Sequence, residues 1–146
     1  MAVDRAFVEL NRASTERIRA LVAGLSTTQL QHPVGEHWTV AIALIHLAFW
    51  ERRVLDGLAK TEQAGALAFP AIDFVVNDLS LPFWAAVPSA EAARLAVESA
   101  AAVDQRLEDY PPALLEEVYK GNEWWVVRSR HRCAHLDEVD AALKTR

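Results

Sequence analysis

The chain has 146 residues, of which 52% are hydrophobic and 24% charged, and its net charge is −5. That length suits one domain, residues 1–146, around one core, and the balance excludes a disordered tail protein. The negative charge argues against nucleic acid as a partner, while a single cysteine, Cys133, rules out an intramolecular disulfide and fits a reducing cytoplasm.

The amino-terminal stretch MAVDRAFVELNRAS is charged and amphipathic, so no secretory signal is expected there. Val3, Phe7, Leu10, Ile18, Leu21 and Leu25 recur at three- and four-residue steps, which predicts an amphipathic helix from about Val3 to Gly24. Arg5, Glu9, Arg12, Glu16 and Arg19 fall between them and are expected to face water. The polar stretch Ser26-Thr27-Thr28-Gln29 and His32-Pro33-Val34-Gly35 read as a connection and a loop.

The second helix starts at Trp38-Thr39, where the Thr39 hydroxyl is suited to cap a free amide of the first turn, and runs to about Lys60. Its first half, with Ile42, Leu44, Ile45, Leu47, Phe49 and Trp50, is apolar nearly all round and is expected to be buried on several sides. The run Val40 to Trp50 is eleven residues and is interrupted by His46, too short to cross a bilayer.

Thr61 to Pro70, with Gly65 and Pro70, reads as a long crossover between the second and third bundle helices. A short helix is expected within Ile72 to Ala86, broken near Pro82. Ser89 is the expected cap of the next helix, which reaches about Tyr110 and stops at Pro111-Pro112. A short piece, Ala113 to Lys120, ends at Gly121. Asn122 is expected to cap the last long helix, Glu123 to about Lys144. No repeat and no strand pattern stands out. The fold class is therefore all-α, with four main helices in a bundle.

His131 and His135 are four apart on the last helix, so their side chains lie about 40° apart on one face. Two imidazoles one turn apart can grip a single ion, although the same spacing also suits a solvated or hydrogen-bonded pair. His46 stands between Ile45 and Leu47 in the most apolar segment. Alone it reads as a satisfied core residue; joined to the other two across a bundle core it completes a ligand set. Cys133 points to the opposite side of its helix and reads as a small buried hydrophobe.

Trp38-Thr39-Val40, followed by Leu44-Ile45-His46-Leu47-Ala48-Phe49-Trp50-Glu51-Arg52-Arg53, resembles the second-helix signature of the DinB/YfiT-like superfamily. His131-Arg132-Cys133-Ala134-His135-Leu136-Asp137-Glu138-Val139 resembles its fourth-helix signature. The branch it resembles is that of stand-alone relatives of the N-terminal domain of mycothiol-dependent maleylpyruvate isomerase. The resemblance implies a four-helix bundle with a long crossover between helices two and three. It also implies a zinc or nickel ion on His46, His131 and His135. With these come a homodimer and thiol S-transfer or thiol-assisted isomerisation, using mycothiol, bacillithiol or glutathione. The extra C-terminal domain of the isomerases has no counterpart in these residues, so that particular activity is not implied.

Three neutral ligands leave a divalent ion its full charge and an open position, where a bound thiol or water is more acidic. The expected partners are a small thiol and an electrophile, without nucleic acid or membrane. A non-catalytic metal- or ligand-binding protein of the same fold is the alternative.

Around the histidines, Arg128 shares the face of His131 and is the candidate to orient an anionic group. Arg130 and Arg132 read as a solvated face balanced by Asp137, Glu138 and Asp140. Glu51 reads as an ordinary ion-pair partner, Trp50 as core or pocket wall, His32 and His37 as solvated loop residues. Asn77 and Asp78 are candidates for the pocket or for a helix cap. No serine-hydrolase, phosphate-loop or zinc-protease motif is present.

Overall fold

The computed structural model describes residues 2–145. Met1 and Arg146, which the expected domain includes, lie outside the described residues. The chain is all-α as expected, with seven α-helices and one two-residue strand pair among the described residues. No described helix is long and apolar enough to cross a membrane.

Helix α1 spans Ala6–Gly24 and begins where the Asp4 carboxylate accepts from the Ala6 amide at 3.0 Å. Its buried face differs from the expected one. Phe7 and Ile18 are buried, but so are Asn11, Ser14 and Thr15, whereas Leu10 is exposed. The polar connection after it contains a short helix, α2, Thr27–Leu30. The Gln29 amide donates to Ser26 Oγ and the Ser26 amide to Gln29 Oε1, a reciprocal cap that satisfies two free donors.

Strand β1, Pro33–Val34, pairs antiparallel with β2, Trp38–Thr39, around Gly35, whose φ of 70° suits the turn. This small hairpin leads into α3, Val40–Ala64, capped by Thr39 Oγ1 accepting from the Ile42 amide at 3.2 Å. The helix runs one turn beyond Lys60 and ends at Gly65, whose left-handed φ of 69° lets its amide reach Thr61 O. The connection that follows is therefore 65–74.

Helix α4, Val75–Ala85, continues through Pro82 instead of breaking there. Val75, Leu79 and Phe83 lie four apart on it and are exposed. Helix α5, Ser89–Glu108, has Pro88 at its cap position, so Ser89 is its first helical residue; the Ser89 hydroxyl bonds to Gln31. Ala92, Ala96 and Ala100 give α5 a buried small-residue face, and it packs most extensively on α3.

Helix α6, Pro112–Gly121, uses Pro112 at its first position, where no amide hydrogen is needed. The last long helix starts later than expected. Asn122 does cap, but it caps a 3-10 turn, Glu123–Trp125, through Asn122 Oδ1 and the Trp124 amide. Helix α7 is Ser129–Lys144. Its first amide is satisfied from another helix: Ser129 N donates to Asn11 Oδ1 at 3.0 Å, while Asn11 Nδ2 donates to Val126 O at 2.9 Å.

Two apolar clusters fill the interior. One gathers Ile18, Leu44, Leu47, Ala96 and Leu136, the other Phe7, Val54, Val103, Leu107 and Val126. Where the two clusters meet stand buried polar residues from every long helix: Asn11, Ser14 and Thr15, Glu51, Asp104, and Arg128 with Arg132.

Candidate metal centre

The three predicted histidines meet. His46 comes from the buried first half of α3, His131 and His135 from successive turns of α7. His46 Nε2 lies 3.2 Å from His131 Nε2 and 3.1 Å from His135 Nε2. Two nitrogens held about 2.0–2.1 Å from one tetrahedral ion stand about 3.4 Å apart, so the observed separations are close to a ligand edge. Burial pushes the His46 imidazole down to about 3, with His135 and Arg128 adding to the shift. Burial likewise takes His131 down to about 2, reinforced by Arg128. His135 is lowered by burial, against the pull of Glu138. All three are neutral, the form that ligates.

Proton counting tests the fit. A neutral imidazole has one N–H and one lone pair. Glu138 Oε1 stands 3.4 Å from His135 Nδ1, a contact that favours a proton on Nδ1 and a lone pair on Nε2. Arg128 Nη2 stands 3.3 Å from His131 Nδ1; a guanidinium only donates, so the His131 proton belongs on Nε2. If His46 Nε2 is a lone pair, it accepts from His131 but faces a second lone pair on His135. If it carries the proton, it serves His135 but collides with the proton of His131. No set of neutral tautomers satisfies every contact. A cation among the three nitrogens removes the lone-pair repulsion, and the donor set therefore fits one. The remaining conflict passes to the Arg128–His131 contact, which at 3.3 Å is already long for a hydrogen bond.

The histidines form the floor of a cavity of about 470 Å³. Trp38, Trp50, Trp124 and Phe74 contribute its aromatic walls, with Ile72, Asn77 and Asn122 completing the lining. Trp50 is the pocket wall expected of it, and Asn77 lines the cavity while its Oδ1 accepts from Trp50 Nε1 at 3.0 Å. Asp78 is in the first turn of α4 and does not line it. The 3-10 turn brings Trp124 to the wall, and the hairpin brings Trp38. Sequence periodicity had no means of placing either, because both depend on local breaks in helical geometry.

Arg128 does not line the cavity. It is fully buried, its Nε and Nη2 donate to Glu51, its Nη1 donates to Trp124 O, and its guanidinium lies 4.1 Å from the Trp124 ring centroid. Its donors are committed to the protein, so it has none for a substrate anion. Arg132, expected on a solvated face, is also fully buried. It donates to both Glu51 oxygens, to Asp104 Oδ1 at 2.9 Å, and to Asn11 O, Ser14 and Thr15 on α1. Glu51 is thus the centre of a buried ion cluster. Burial disfavours its ionisation, but Arg128 and Arg132 together outweigh that and hold its carboxyl below the usual carboxylate range. Arg130 is exposed and pairs with Glu123, as a solvated residue should.

Cys133 is outside the histidine cluster, as its helix position required, but it is half-buried rather than buried. His32 Nε2 bonds to Ala142 O at 2.9 Å and ties the hairpin to the end of α7. His37 is exposed beside Glu36. Neither joins the centre.

Fold and site together define a class: an all-α protein with one buried and two half-buried histidines converging in an aromatic cavity. A family model of the DinB superfamily matches residues 10–136, a span that includes His46, His131 and His135. The chain belongs to the DinB superfamily. No curated protein and no solved structure matches it significantly.

Proposed function

We propose that this protein is a divalent-metal-dependent enzyme that activates a low-molecular-weight thiol for S-transfer or isomerisation. Helices α1, α3, α5 and α7 are read as the four members of a bundle, with 65–88, which includes α4, as the crossover between the second and third. His46, His131 and His135 would hold a zinc or nickel ion through Nε2. The observation that carries the reading is the convergence of three neutral imidazoles, one buried and two half-buried, whose contacts no arrangement of their own protons satisfies. When bound, such an ion lowers the pKa of a thiol or water and polarises a carbonyl.

The chain's own residues do the rest. The tryptophan walls exclude water, which strengthens electrostatic interactions on the cavity floor. Glu138 favours the His135 tautomer with its lone pair on Nε2. Arg128 and Arg132 tie α7 to α3 through Glu51, and so set His131 and His135 opposite His46.

A second reading, a non-catalytic metal- or ligand-binding protein, draws on one observation. The described residues lining the cavity include no carboxylate, lysine or tyrosine, so acid–base work there would fall to the bound species themselves. Elemental analysis of untagged protein tests the shared premise. About one divalent ion per chain is expected in the wild type, and none in His131→Ala. A wild type without stoichiometric metal even after reconstitution overturns both metal readings. Thiol conjugation by the loaded protein, lost on chelation, separates the enzyme from the binder.

A further inference from the structure

The cavity above the histidines is more specific than a generic opening, and three features of its wall bear on what enters it. This inference rests on the proposed site but concerns the ligand's body, not the ion.

The first feature is that the aromatic walls are fixed. Trp38 stacks on the His135 ring at 5.6 Å with a 27° angle between planes. Trp50 is held by its Nε1 bond to Asn77. Trp124 is held by the buried Arg128 guanidinium, 4.1 Å from its ring centroid. Phe74, 68% exposed, stands at the mouth, 6.3 Å from Trp50 between ring centroids. Three rings are thus held in place before any ligand arrives, and preorganised aromatic surface favours a flat partner.

The second feature is charge. No lysine or arginine lines the cavity among the described residues, because the two nearby arginines, Arg128 and Arg132, pair with Glu51 and Asp104. An anionic head can be served by the ion itself, but an anionic body beyond that head would be desolvated with no counter-charge among the described lining residues. A cationic body would suit the aromatic faces but would sit beside a divalent ion. A neutral body is what remains.

The third feature is polarity of a defined sign. Asn77 Oδ1 accepts from Trp50 Nε1, and Asn122 Oδ1 accepts from the Trp124 amide. Each Oδ1 already accepts one bond, whereas neither NH₂ has an acceptor among the described residues, so the unmet capacity of these two lining amides is mainly for donation. The wall offers donors and asks for acceptors.

We propose that the ligand body recognised here is flat, uncharged and conjugated, and carries a carbonyl-type acceptor: an aryl or conjugated carbonyl compound with at most one metal-binding head. Of the two co-substrates in the proposed reaction, the cavity selects the electrophile and not the polar tail of a thiol.

The test begins on metal-free protein, so that it stands apart from the ion. Naphthalene-2-carboxamide and its fully saturated decahydro counterpart are titrated by calorimetry. The aromatic amide is expected to bind about tenfold more tightly, the gain of ring-on-ring contact over area alone. Phe74→Ala, at an exposed position that does not endanger folding, and Trp124→Leu, with its fold checked by circular dichroism, should each shrink that gap to about threefold or less. Asn77→Ala should weaken the amide relative to 2-methylnaphthalene, which lacks the acceptor. Equal binding of the saturated and aromatic bodies, no saturable binding of either, or an undiminished gap in both ring variants overturns the proposal. A second arm compares naphthalene-2-thiol with mercaptosuccinate on zinc-loaded protein, where the aromatic thiol should win by about tenfold. Protein that takes up no zinc but keeps the aromatic preference refutes the metal reading and leaves the cavity assignment standing. Zinc uptake without the preference does the reverse.

Discussion

Glu51→Gln isolates the buried ion cluster with almost no change of shape. In the wild type one carboxylate accepts five hydrogen bonds, three from Arg128 and two from Arg132. Glutamine keeps one acceptor oxygen but turns an NH₂ toward guanidinium N–H groups, and leaves two buried cations facing Asp104 alone. Removing one partner of a buried ion pair costs about 3–5 kcal/mol. Unfolding entropy of about 2.1 cal/mol/K per residue gives a 146-residue chain about 0.3 kcal/mol/K, so the melting temperature should fall by about 10–16 °C. The pH dependence has a definite sign. Because the folded carboxyl titrates below its unfolded value, its stabilisation is complete above the ordinary carboxylate range and is lost as pH falls through the folded pKa. The gap between wild type and variant, measured by denaturant unfolding, should hold from pH 7 to about 5 and close only in stronger acid. A loss of less than about 1 kcal/mol at pH 7, or a gap that grows on acidification, refutes the assignment of Glu51 as the charged centre of the cluster.

Asn11→Ala removes the side chain that satisfies both Val126 O and the first amide of α7, and should cost about 2–4 kcal/mol in denaturant unfolding. Gly57→Ala gains about 1 kcal/mol of helix propensity, yet its new methyl would fall on the Phe69 ring, which stacks on Trp125 at 4.2 Å; a net destabilisation of about 1–2 kcal/mol is expected by thermal melting. Arg128→Met should lower stability, because Glu51 loses three bonds, and should raise the metal dissociation constant by about tenfold or more, read by chelator competition on folded protein, because the contact that sets His131 opposite His46 is gone.

The histidine site was legible because its signals are local. A four-residue spacing survives any error in where α7 begins, and His46 betrays itself by standing in an apolar run. The ion cluster was hidden for the same reason that helix periodicity works elsewhere. Arg130 and Arg132, followed by Asp137, Glu138 and Asp140, read as a wet face and Arg128 as a site residue, yet Arg128 and Arg132 both point into the buried cluster. The clue lies on α1, where Asn11, Ser14, Thr15 and Ile18 follow the three- and four-residue steps of a buried stripe; a stripe that is polar in its middle calls for polar partners. The late start of α7 had no local mark either. Val126 and Val127 fit a helical period, and the residue that terminates the preceding turn and caps the helix is Asn11, far away in sequence. The Ser26–Gln29 capping pair, by contrast, was written in the sequence, as serine three residues before glutamine.

The placement of the ion cluster follows from what the histidines require. Apolar contacts among leucine, valine and alanine are non-directional, and they resist a small slide of one helix along another only weakly. Three imidazole nitrogens within about a ligand edge of one another tolerate no such slide, since a single residue step is 1.5 Å along the axis. His46 and Glu51 share α3, one turn apart, and His131 stands between Arg128 and Arg132 along α7. The directional bonds from those two arginines to Glu51 therefore fix α7 against α3 at the level of the site itself, with Asp104 on α5 and Asn11 to Thr15 on α1 completing the clamp. An apolar substitute of equal volume would give back stability without giving back register. That is why two arginines lie fully buried next to a site whose described lining residues include no lysine or arginine: their charge is spent on holding the histidines in place, and the cavity is left to aromatic rings.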